Sequence, residues 1–116
     1  MRPTRRDALK GALAVPVVAA LPTAAWAQGR PALLVHDATL AAGRSLAALH
    51  EGEVLAITGD RIRFARALFE LRPSLVLGIS RAADALLIEE VAREAGYAPV
   101  AAPASLGASG WALAPR

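Results

Sequence analysis

Cysteine is absent from the 116-residue chain, which removes disulfides, thiolate nucleophiles and thiolate metal ligands together. Lysine occurs once, at Lys10, so no side-chain amine is present after Gln28 for Schiff-base chemistry or for a phosphate-loop lysine. Neither a Gly-x-Gly-x-x-Gly turn nor a P-loop glycine-lysine pair occurs. The two histidines, His36 and His50, have no recognised metal-ligand spacing, and a receiver-type acidic pocket on Asp37 and Asp60 lacks its lysine. An excess of one charge is also missing from most of the chain. The net charge of +3 resides in residues 1–27, where Arg2, Arg5, Arg6 and Lys10 face the single acid Asp7. From Gln28 onward nine arginines balance nine acids, so the basic character belongs to the amino-terminal segment and no nucleic-acid partner is expected.

What is present begins with that segment. Thr4-Arg5-Arg6-Asp7-Ala8-Leu9-Lys10 resembles the twin-arginine (Tat) export motif Ser/Thr-Arg-Arg-x-Phe-Leu-Lys, with Ala8 in place of the phenylalanine. An apolar run from Gly11 to Leu21 follows, broken by Pro16, and then Ala25-Trp26-Ala27, an A-x-A cleavage site that places the cut between Ala27 and Gln28. The run is shorter than the roughly 20 apolar residues a stable membrane span needs, so no span is expected after cleavage. The resemblance implies a cleavable signal over 1–27, the Tat translocase as partner during export, and delivery of a folded protein to a bacterial periplasm.

Continuous apolar runs alternate with amphipathic segments in the remainder. Ala32–Val35, Glu53–Thr58 and Leu75–Ile79 read as buried strands. Thr39 to His50 reads as a helix with Leu40, Leu46, Ala47 and Leu49 on one face, Asp37 or Thr39 as cap, and Gly43 as a weak point. Arg61 to Leu71 repeats apolar residues at Ile62, Ala65, Leu68 and Phe69 before Pro73, and Arg81 to Ala95 turns Leu87, Ile88, Val91, Ala92 and Ala95 inward before Gly96. This pattern predicts an α/β fold, a small three-layer βαβαβα parallel sheet over residues 28–102. Val100-Ala101 is a candidate fourth strand. Residues 103–116 form a Pro/Ala/Gly-rich tail in which Trp111-Ala112-Leu113 is a candidate edge strand. So small a sheet is expected to need a protein partner or a second copy over one face, with Trp111 as a candidate contact.

In such sheets ligands bind beyond the carboxyl ends of the strands. That rim collects His36, Asp37 and Thr39, then Thr58, Gly59, Asp60 and Arg61, then Ser80, Arg81 and Asp84. Gly78-Ile79-Ser80-Arg81-Ala82 resembles the Gly-x-Ser-x-Gly nucleophile elbow of α/β-hydrolases, but Ala82 replaces the last glycine and both histidines precede the serine. Serine hydrolysis is therefore disfavoured. Ser80 suits a helix cap, Arg81 suits either a carboxylate or phosphate or a pairing with Asp84, and the residues leave any cofactor unknown. The expected function is a non-catalytic ligand- or partner-binding protein using Asp37, Asp60, Arg61, Ser80 and Arg81. The alternative is an enzyme, or an accessory subunit of a Tat-exported enzyme, with its site on the same rim.

Overall fold

A computed structural model describes residues 32–116. The expected signal at 1–27, with Arg5, Arg6 and the Ala27–Gln28 junction, lies outside the described residues. The order of elements is β1 (Leu33–His36), α1 (Ala41–Leu49), β2 (Val54–Ala56), α2 (Arg61–Glu70), β3 (Val76–Ile79), α3 (Ala82–Glu94), β4 (Tyr97–Val100), a 3-10 turn at Ala104–Leu106, and β5 (Gly110–Pro115). The first six elements match the expected alternation. Between Leu33 and Ile79, each stretch with apolar residues at three- and four-residue spacing is helical and each short continuous apolar run is a strand.

The five strands form one mixed sheet in the order β2-β1-β3-β5-β4. β1 is parallel to β2 and to β3, whereas β5 is antiparallel to both β3 and β4. The expectation of a wholly parallel sheet is therefore corrected. The chain crosses over through α3 to β4, leaves a gap of one strand, and fills that gap by returning through β5 in the opposite direction. Trp111-Ala112-Leu113 is likewise not an edge strand, since β5 lies between β3 and β4. The fourth strand ends at Val100 where the sequence reading had it begin.

Side-chain alternation along the strands creates two clusters. Leu33, Val35, Val76 and Leu113 pack with Ala65, Leu68 and Phe69 of α2 and with Ile88, Val91 and Ala92 of α3. Leu34, Leu77, Ile79, Ala112 and Ala114 pack with Leu106, and Leu46 and Ala47 of α1 join them in part. α1 therefore serves the opposite cluster from α2 and α3. Fully burying a side chain such as Leu68 or Ile88 contributes about 1.5–3 kcal/mol, and these positions hold the helices to the sheet. Two residues expected inward face solvent, Leu49 at 78% and Leu87 at 41% exposure. Each lies at the margin of its helix's apolar stripe, where the described residues leave it uncovered.

Candidate functional site

β1, β2 and β3 run parallel, so their carboxyl ends share one rim. β1 and β3 are neighbours, yet α1 after β1 packs with one cluster and α3 after β3 with the other. In open α/β sheets the junction between two such strands, beyond their carboxyl ends, is the place where ligands bind. Asp37, Thr39, Ser80 and Arg81 border it.

Asp37 is buried at 5% exposure, just past β1. Its Oδ1 accepts from the Thr39 amide at 2.9 Å and from the Thr39 hydroxyl at 2.7 Å, a local turn of the kind aspartate favours. Its Oδ2 lies 3.4 Å from Nε of Arg81, and Nη2 of Arg81 donates to Thr39 Oγ1 at 3.1 Å. These contacts close a triangle between the ends of β1 and β3. The Thr39 hydroxyl, then the Thr39 amide, then Arg81 hold the Asp37 carboxyl below its usual value of 3.8, against the opposing effect of burial. The sequence reading cast Asp37 or Thr39 as the cap of α1, but the cap position is Leu40, with no side-chain hydrogen bond. Asp37 is turned toward Thr39 and Arg81 instead.

Arg61 and Asp60 behave differently. Asp60 caps α2, its Oδ1 accepting from the Arg63 amide at 2.9 Å, and that bond leads the effects that lower its pKa. Arg61 Nε lies 3.2 Å from Oδ1 of Asp84 in the first turn of α3, and its Nη1 donates to the Gly59 carbonyl at 2.7 Å. The expected Arg81–Asp84 pairing is thus replaced by two pairs that cross between junctions, Arg81 with Asp37 and Arg61 with Asp84. Asp60, among the five candidate residues, makes only local contacts.

Ser80 is buried at 2% exposure and does not cap α3. The cap position is Arg81, again with no side-chain hydrogen bond. The Ser80 hydroxyl donates to the Arg81 carbonyl at 3.0 Å and accepts from Nε1 of Trp111 at 2.9 Å, while its amide donates to the Ser109 carbonyl. Gly78 explains the approach of the indole. A Cβ at Gly78 would sit 2.1 to 2.4 Å from three atoms of the Trp111 ring, which lies opposite Gly78 in the β3–β5 register. The motif that resembles a nucleophile elbow is therefore a seat for tryptophan, and its serine has its proton on a backbone carbonyl. Trp111 is the site-bordering residue that the rim argument missed, and the available signal was a glycine inside an otherwise branched and apolar strand.

His36 is also buried, and its Nδ1 has no partner among the described residues. A Cβ at Gly43 would lie 3.2 Å from both the Asp37 carbonyl and His36 Cβ, so this glycine, expected to be a weak point, lets α1 lie close on the end of β1. His50 ends α1 and its Nε2 meets the Ala32 carbonyl at 2.5 Å, tying the helix to the start of β1. A cavity of about 220 Å³ lies at the other end of the strands, lined by Leu33, Glu53, Arg72 and Ser74 among others. It shares no residue with the rim. No group of three or more metal-binding side chains occurs among the described residues, and none of their helices is long and apolar enough to cross a membrane.

What the rim can do chemically follows from its donors. The Arg81 side chain is 65% exposed although its Nε and Nη2 are engaged by Asp37 and Thr39. The helix starts on either side lack side-chain caps, and their first amides carry partial positive charge. No protein-family model, curated protein or solved structure matches the chain.

Proposed function

We propose that this chain is a Tat-exported periplasmic protein that binds a small carboxylate or phosphate, without catalysis, at the junction between β1 and β3. The reading treats the sheet as the middle of three layers, with α1 over one face and α2 and α3 over the other. One observation carries it: Arg81 is held by Asp37 and Thr39 between two helix starts without side-chain caps, yet most of its side chain remains exposed. The commitments of the Ser80 hydroxyl favour binding over a covalent mechanism.

The test is thermal unfolding of residues 28–116 against a panel of simple carboxylates and phosphates. At least one anion should raise the melting temperature of the parent, and Arg81→Gln should lose that increase. Equal shifts in parent and Arg81→Gln, or no shift with any anion, defeat the reading. Export is tested separately: Arg5→Lys with Arg6→Lys should hold the precursor in the cytoplasm, and a processed periplasmic form of that variant would remove the Tat assignment.

A further inference from the structure

The two edges of the sheet are built differently. At the β4 edge the Arg116 amide donates to the Gly96 carbonyl at 2.8 Å, which fixes the alternation so that the backbone groups of Ala98 and Val100 bond β5 while those of Tyr97 and Pro99 turn away from it. Pro99 has no N–H to offer, and the outward carbonyl of Tyr97 accepts from Nη1 of Arg116 at 3.2 Å. This edge is closed to a further strand by one missing donor and one occupied acceptor.

Among the described residues the β2 edge carries neither device. The Glu53 carbonyl accepts from the Leu34 amide and the Ile57 amide donates to the His36 carbonyl, both at 2.9 Å, so these groups turn toward β1. By alternation the amides and carbonyls of Val54 and Ala56 turn away from the sheet. Ala56 is exposed, and Val54 and Leu55 are only partly covered. Exposed Glu51 and Glu53 flank the amino end of this strand, and beyond its carboxyl end the exposed arginines Arg63 and Arg66 outnumber exposed Asp60. An antiparallel neighbour with the same sequence brings each acidic end against the other's basic end, whereas a parallel one sets like against like. Centred on Leu55, that pairing places Val54 of one copy opposite Ala56 of the other, so all four outward groups of each strand find partners.

We propose that two copies of this chain associate through antiparallel pairing of their β2 strands, joining the two sheets into one. The partner surface is thus β2 and not Trp111, which lies inside the sheet. Only a few backbone bonds cross the contact, so the association is weak and concentration-dependent. This inference does not rest on the anion reading.

The experiment is light scattering of residues 28–116, which contain every described element, over loading concentrations from about 1 µM to about 1 mM. The mass should rise from one chain toward two, and added salt should shift the rise to higher concentration. Amide exchange should slow at Val54 and Ala56 as concentration increases, with Ala98 and Val100 unchanged. Ala56→Pro removes an outward donor as Pro99 does, and Ala56→Lys places a charge on the edge without altering the backbone; both should keep the mass at one chain. A mass of one chain at every concentration overturns the proposal. So does a dimer that survives both Ala56→Pro and Ala56→Lys, which would locate the contact elsewhere.

Discussion

Asp60 and Ser80 stand at matching points, each beyond the end of a parallel strand and before or at a helix start, and their side chains act over different ranges. Asp60 reaches only the amide of Arg63, three residues on. Ser80 is tied to Trp111, thirty-one residues away, and Asp37 does both, turning locally to Thr39 and distantly to Arg81. The cause lies in what stands beside each strand. β2 is an edge, so Asp60 has no neighbour on its outer side, whereas β3 lies between β1 and β5 and receives an indole from one and a carboxylate from the other. Asp60 is thus a cap at the edge and Ser80 a cross-link in the middle of the sheet, while the longer Arg61 side chain beside Asp60 reaches back to Asp84 of the neighbouring junction.

The largest expected effect comes from removing the space that admits the cross-link. Gly78→Ala places a methyl group within the Trp111 ring position, and the loss of stability should be about 3 kcal/mol, at the upper end for overpacking because the obstacle is a ring held by its own hydrogen bond. Trp111 is the sole tryptophan after Gln28, so its displacement should appear as a red shift in fluorescence. Combining Gly78→Ala with Trp111→Ala should be less damaging than the sum of the two single changes, since the clash vanishes with the ring. Strict additivity would show that the two residues do not share this space.

Ser80→Ala comes next and separates the two kinds of junction directly. It leaves the Trp111 N–H without its acceptor in a partly buried place and should lower stability by about 1–3 kcal/mol, with a change in tryptophan emission. Asp60→Ala should fray the start of α2, lowering helical circular dichroism while leaving that emission unchanged. If Asp60→Ala perturbs Trp111 as strongly as Ser80→Ala does, the distinction between cap and cross-link fails.

The same contrast marks how far the sequence can be read. β1 through α3 were legible because each is specified by its own neighbours: Ala65, Leu68 and Phe69 recur at helical spacing, and Asp60 precedes Arg61 as a cap should. The rim was legible as a list of residues, since parallel strands bring their carboxyl ends together. Its wiring was not. Arg81 was matched to Asp84 one turn along, but β1 and β3 bring Asp37 within reach, and no periodicity encodes which strands are adjacent. The placement of β5 was hidden for that reason too. Ala112, Leu113 and Ala114 read equally well at an edge or in the interior, and only the gap left by the α3 crossover decides between them. Trp111 opposite Gly78 was the one local clue, a bulky ring matched to a missing side chain across the sheet.

The smallest expected effect concerns pH and compares Asp37 with Asp60. Both carboxyls lie below their usual value of 3.8 in the folded chain, Asp37 chiefly through the Thr39 hydroxyl and Asp60 chiefly through the Arg63 amide. A carboxyl that holds its proton less tightly when folded contributes stability that is complete above about pH 5 and disappears as the pH falls through the depressed value, because the unfolded chain takes up the proton first. Asp37→Asn and Asp60→Asn should therefore each flatten the acid limb of the stability curve and change little between pH 6 and 8 in its slope, roughly the range in which neither group titrates. Salt distinguishes them. Asp60 is exposed, so added salt should weaken its share of the acid limb, whereas the share of Asp37, buried against Thr39, should persist. An acid limb for Asp37→Asn that overlays the parent's in both low and high salt would show that the junction does not hold this carboxylate in its charged form.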